Sequence, residues 1–147
     1  MKTVSLTHII ILTFMGFVSL SLTAHADKQR ISKHLPAQQL KWFKTGVGPM
    51  LAANAYGDMK KGAHGTFLKM PYGFSSPVHQ HDNEYHAVVL SGTIVNSEIG
   101  EKDIRLIKGS YWFQIGQVKH VTKCVSKSGC LVFLSQPNYF NFIPEKH

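Results

Sequence analysis

The chain has 147 residues, 44% of them apolar and 16% charged, with 16 Lys and Arg against 8 Asp and Glu. That apolar share is ordinary for a globular protein and excludes a disordered or collagen-like chain. The lysines stand singly or in pairs, as at Lys60-Lys61, without an arginine block or basic–aromatic stripe. The positive balance therefore reads as a solvated surface, and no nucleic-acid partner is expected.

In chain order, Lys2 gives a positive start and Ile9 to Leu22 is a mostly apolar run. Ala24-His25-Ala26 then places small residues at the −3 and −1 positions of a cleavage site. This is the three-part layout of a secretory signal peptide over 1–26. The run is short for a span of about 20 residues and no stop-transfer charges follow. The expectation is a periplasmic or secreted protein with no stable membrane insertion. Removing residues 1–26 from 147 leaves 121, enough for one domain with its own core. It loses one lysine, so 15 basic against 8 acidic residues leave a net +7.

Residues 27–39 are polar, contain Pro36 and read as an arm. From 40 to 147 short apolar or alternating runs follow one another. They are Leu40–Phe43, Met50–Tyr56, Thr66–Met70, Val78–His81, Tyr85–Leu90, Thr93–Asn96, Ile104–Ile107, Tyr111–Ile115, Val118–Cys124, Leu131–Leu134 and Tyr139–Phe142. Runs of four to seven residues rich in Val, Ile, Phe, Tyr and Thr predict an all-β sandwich or closed barrel. No stretch keeps a 3.6-residue apolar period for three turns. Ala37–Lys44 leaves one or two helical turns open as an alternative to its strand.

Cys124 and Cys130 flank Lys127-Ser128-Gly129, turn material of a hairpin. In an oxidising compartment such a pair is expected to form a disulfide, with two free thiols as the alternative. Of the aromatic residues, most read as core. Trp112 and Gln114 share one face of their strand, and Tyr111, Phe113 and Ile115 the other, without the sequence saying which faces in. Gln114 and Gln136 are each either pocket or surface. His34, His64 and His147 read as surface histidines, and Gly92 and Gly109 as turn residues.

The chemistry lies in the remaining histidines. His79 and His81 are two apart on an expected strand, so both imidazoles project from one face. Asp82-Asn83 reads as a turn that brings Tyr85 or His86 beside them, and His120 opens a later strand. These residues resemble the cupin superfamily. Its first motif has a glycine, five residues, His-x-His, three or four residues, a glutamate, six residues and a glycine. Gly73, His79, His81, Tyr85 and Gly92 fit every spacing, with tyrosine in place of the glutamate. The second motif has a glycine, a proline six on and a histidine eleven on. Gly109 and His120 fit, with Ile115 at the proline and Gln117 at the motif's second glycine. The gap between the motifs, Thr93 to Lys108, is close to the family's short form.

The resemblance implies a double-stranded β-helix, or jelly-roll barrel, with metal ligands His79, His81 and His120. Tyr85 takes the glutamate's place, as a ligand or as a hydrogen-bond donor to what the metal holds. His86 is the second candidate for a fourth ligand, and it or Glu84 would turn inward through a bulge. Neutral imidazoles suit one transition metal ion, Fe, Zn, Mn, Ni or Cu. Three histidines with open positions are the arrangement of a catalytic centre, and cupin dioxygenases with three histidines on iron are similar. Two functions follow as expectations. One is a metal-dependent oxygenase or related enzyme acting on a small chelating substrate. The other is a non-catalytic binding or sensing protein for a metal or small ligand. A homodimer is expected only by analogy with the family.

Overall fold

The computed structural model describes residues 32–146. The expected signal peptide, the start of the arm and His147 lie outside the described residues. Eleven strands appear: β1 (Phe43–Lys44), β2 (Leu51–Tyr56), β3 (His64–Met70), β4 (His79–Gln80), β5 (Tyr85–Ser91), β6 (Thr93–Glu98), β7 (Arg105–Ile107), β8 (Tyr111–Gln114), β9 (His120–Cys124), β10 (Cys130–Gln136) and β11 (Ile143–Pro144). They form two antiparallel sheets, ordered β1-β2-β3-β10-β5-β8 and β11-β4-β9-β6-β7. The chain passes repeatedly from one sheet to the other, as the expected double-stranded β-helix requires. Among the described residues no helix is long and apolar enough to cross a membrane.

Alternation along the strands makes the core. In β10, Cys130, Val132, Leu134 and Gln136 are buried while Leu131, Phe133 and Ser135 are half-exposed. In β5, Tyr85, Ala87 and Val89 point in. Met50, Leu68, Met70, Phe74 and Ile94 complete an apolar cluster between the sheets. The β8 ambiguity is resolved: Gln114 is buried and Trp112 packs on the core, whereas Tyr111, Phe113 and Ile115 are exposed.

Four local expectations are corrected. Ala37–Gln39 is one 3-10 turn, and the strand there begins only at Phe43. Tyr139–Phe142 is not a strand, since the last strand is β11, paired with β4. Val78–His81 and Tyr85–Leu90 do not pair as a hairpin, because β4 and β5 belong to opposite sheets. The same holds for the two cysteines. Cys124 ends β9 and Cys130 begins β10, one in each sheet, and their disulfide (S–S 2.02 Å) ties the sheets together at a corner. Gly92 sits against this corner at φ +81°, where a Cβ would come within 2.4 Å of the Gly129 carbonyl oxygen. Only glycine fits there.

Candidate metal centre

His79 on β4 lies directly opposite His120 on β9 in the strand register. Their ring centroids are 4.2 Å apart. His81, two residues beyond His79, brings its ring to 4.9 Å from His79 and 5.1 Å from His120. All three side chains are buried, His120 completely. One ligating nitrogen of each lies within 4.8 Å of the other two. The strand period of two and a single cross-strand pair thus build the triangle from a His-Gln-His segment and one distant histidine.

The second nitrogen of each ring is engaged by main chain. His79 Nδ1 faces the Pro77 carbonyl oxygen at 2.9 Å, with the Ser76 hydroxyl at 3.2 Å. His120 Nδ1 faces the Val118 carbonyl oxygen at 3.0 Å. His81 Nδ1 contacts the Asn141 carbonyl oxygen. A carbonyl only accepts, so each Nδ1 carries the proton and each Nε2 presents a lone pair. His120 Nε2 is buried with no hydrogen-bond partner. Backbone carbonyls that fix the tautomer and aim the free nitrogen are the usual support of a metal-bound histidine.

Electrostatics agree. Burial, then the nearby His120, push His79 down to about 3. Burial pushes His81 down to about 4, against its bond to Asn141. Burial also lowers His120, opposed by its bond to Val118. The rings are therefore neutral at pH 7, the form a metal takes. These residues fit one transition metal ion, and no carboxylate stands among them to balance its charge.

Tyr85 opens β5 in the facing sheet and reaches the site from there, its ring 5.3 Å from His81 and 6.5 Å from His120. Burial pushes its hydroxyl up to about 12, and the neighbouring Trp112 indole and Thr122 hydroxyl oppose that only in part. It is a donor at neutral pH, not a base. His86 does not join the cluster. It is exposed on the outer face, its Nδ1 2.7 Å from the Tyr111 hydroxyl. The register Tyr85↔Gln114, His86↔Phe113 runs without a shift, so no bulge turns His86 or the exposed Glu84 inward.

Two residues of this site were taken as core or strand material in the sequence. Phe142 stacks on His79 at 4.3 Å between centroids, and Phe140 lies on His81 at 4.4 Å. Both belong to a strap, 139–142, held at the Asp82-Asn83 turn. Tyr139 Oη and Asn141 Nδ2 donate to Asp82 Oδ2 at 3.0 and 2.8 Å, and the Asp82 amide donates to Asn141 Oδ1 at 3.0 Å. The signal available was the alternation Phe140, Phe142 beyond the last long strand, which puts two aromatic rings on one side. His79, His81, Tyr85 and Trp112 line a cavity of about 30 Å³ whose remaining wall is apolar apart from Ser76 and Thr122. His120 touches both other rings without lining it. A water needs about 10–15 Å³ on this measure, so the cavity has room for about two.

A backbone detail supports the second motif. Gln117, at the motif's glycine position, has φ +62°, the one non-glycine residue in the left-handed region among those described. Its amide donates to the His81 carbonyl oxygen at 2.7 Å, which locks the β8–β9 loop to the site.

No curated protein sequence matches the chain. Among solved structures it is similar to the polyketide cyclase RemF from Streptomyces resistomycificus (14% identity, TM-score 0.67, covering 80% of this chain and 87% of that one). It is similar to an RmlC-like cupin from Ralstonia eutropha JMP134 (17% identity, TM-score 0.62, 78% and 74%). It is also similar to KdgF from a Halomonas species (15% identity, TM-score 0.60, 71% and 94%). At these identities the likeness is one of fold. The family described as a domain of unknown function (DUF4437) matches residues 33–136. The chain therefore belongs to the DUF4437 family, and its fold is the double-stranded β-helix of the cupins.

Proposed function

We propose that this protein is an exported metalloenzyme whose three-histidine centre binds and activates a small oxygen-donor substrate. The observation that carries this is the set of three buried imidazoles, each with Nδ1 spent on a carbonyl and its other nitrogen turned to a common point. Fe, Zn, Mn, Ni and Cu all accept such a donor set. A bound metal would supply Lewis acidity there, and iron or copper would add redox capacity. Three neutral ligands leave its charge unbalanced in an apolar cavity, which favours an anionic, chelating substrate. The protein's own share is positional. Tyr85 stays protonated and donates a hydrogen bond to a substrate oxygen, while Phe140 and Phe142 keep bulk water from the histidines. The similarity to a cyclase, and to a DMSP lyase from Ruegeria pomeroyi DSS-3, supports an enzyme on this fold. Lys2, the apolar run Ile9–Leu22, Ala24-His25-Ala26 and the disulfide together support export.

One observation favours the second reading, a non-catalytic binder. No carboxylate, lysine or arginine lines the histidine cavity; besides the histidines its polar side chains are Tyr85, Trp112, Ser76 and Thr122, none of which is a base at neutral pH. The test is metal content of the protein purified without a histidine tag, beside a His79→Ala/His81→Ala variant. About one transition metal per chain in the parent and none in the variant supports the centre. Dioxygen uptake with a β-diketone or a thiol, absent in the variant, supports oxygenase chemistry. Metal and ligand bound without turnover supports the binder, and a parent that takes up no metal sinks both metal-centred readings.

A further inference from the structure

A second cavity, of about 100 Å³, adjoins the histidine cavity. The two share Val47, Met50, Leu68, Phe140 and Phe142 as walls. Phe140 and Phe142 thus have a histidine ring on one side and this second space on the other. Its further lining adds the apolar Phe43 and Met59 and only two polar side chains, Thr45 and Lys60. Thr45 is already satisfied: its hydroxyl donates to the Met50 carbonyl oxygen at 3.0 Å and accepts from the Val47 amide at 3.1 Å. Lys60 is exposed. The space is therefore apolar throughout its buried part.

We infer that this second cavity is the tail subsite of the ligand taken by the histidine centre. Its ligand is an amphiphile with one oxygen-chelating head and a compact apolar body. This rests on the metal reading above. The chemistry of the walls decides the class. A sugar or other polyhydroxylated body would leave hydroxyls unpaired against Leu68, Met50 and Met59. A second anionic group would find only the exposed Lys60 as a partner and otherwise apolar walls. An alkyl chain or single ring would exchange water for apolar contact. Phe140 and Phe142 are the specificity-determining residues, since they line both spaces and also lie on the rings of His81 and His79.

The probes are acetohydroxamate and hexanohydroxamate, which share a chelating head and differ by four methylenes. They are titrated into the cobalt(II)-loaded protein by visible absorption and into the metal-free protein by calorimetry. Hexanohydroxamate is expected to bind the loaded protein on the order of 100-fold more tightly, from about fourfold per buried methylene. Met59→Trp, which fills the second cavity, is expected to abolish that preference, with bound cobalt per chain reporting that the variant is folded. Equal affinity of the two probes for the loaded parent overturns the tail subsite and leaves the metal reading standing. Hexanohydroxamate binding equally well with and without cobalt overturns the metal reading alone. If no cobalt is taken up, the metal reading fails, and the tail subsite stands or falls on whether the metal-free protein still prefers the longer probe.

Discussion

Two groups of histidine lie inside this barrel, and they differ in how their second nitrogens are used. His64, at the start of β3, is as buried as His120. Its Nδ1 lies 2.9 Å from the Thr66 hydroxyl and its Nε2 3.3 Å from Gln136 Oε1. Thr66 in turn donates to Asn54 Oδ1 at 3.1 Å, and Gln136 Nε2 donates to the Asn83 carbonyl oxygen at 3.2 Å. Every ring atom that can bond does so within the protein. In the triad only Nδ1 is engaged. Burial also lowers the His64 pKa, so low basicity does not separate the two groups. What separates them is convergence of unshared nitrogens: those of His64 are all used within the fold, whereas those of the triad lie close enough together to hold one metal ion.

The largest expected effect breaks the triad. His79→Ala/His81→Ala is expected to remove all bound metal, measured by elemental analysis, while His64→Ala leaves about one ion per chain. Acid comes next. His79 and His81 ionise near 3 and 4 when folded, below the unfolded value of 6.5, so the unfolded chain takes up protons first. Metal-free protein should hold constant stability above about pH 7 and lose it as pH falls through 6.5 towards 4. Each of the two histidines contributes about 1.4 kcal/mol per pH unit. Denaturant titration across this range should show the slope flattening in the double variant; an unchanged slope would mean that other groups govern it. His64→Ala itself is expected to cost about 2–4 kcal/mol, from the cavity and from unpaired Thr66 and Gln136. Metal affinity should stay within about twofold of the parent, on the additivity expected of sites that share no partner.

The contrast was half legible beforehand. His79, His81 and His120 stand out because strand period and spacing are one-dimensional properties. Ten of the eleven expected strand regions contain an observed strand or part of one; Tyr139–Phe142 only adjoins β11, and its aromatic residues, suited to a strand, form a strap held by Asp82. His64 reads as a surface residue in the sequence because it falls in a loop, between the expected strands Met50–Tyr56 and Thr66–Met70. Its burial comes from pairing with Gln136 across β3 and β10, 72 residues away. Tyr85 was placed correctly beside the histidines but by the wrong route. A hairpin was expected, whereas two facing sheets bring it there. Long-range sheet assignment is the property that local pattern does not carry.

The smallest expected effect tests the alternation that sorts inner from outer residues. His86 neighbours Tyr85, and a one-residue bulge would exchange them, making His86 a fourth ligand and turning Tyr85 outward. The continuous register of β5 on β8 instead keeps His86 against Tyr111 and Phe113 in the open. His86→Ala should therefore leave metal content unchanged and shift stability by no more than about 0.5 kcal/mol, as for an exposed residue. Tyr85→Phe should also keep the metal, yet lose the hydrogen bond offered to a bound hydroxamate, weakening it about threefold to tenfold. Metal lost from the His86 variant, with the Tyr85 variant unaffected in every assay, would mean that β5 slips by one residue when the ion binds. The triad would then be a four-histidine centre in its loaded form.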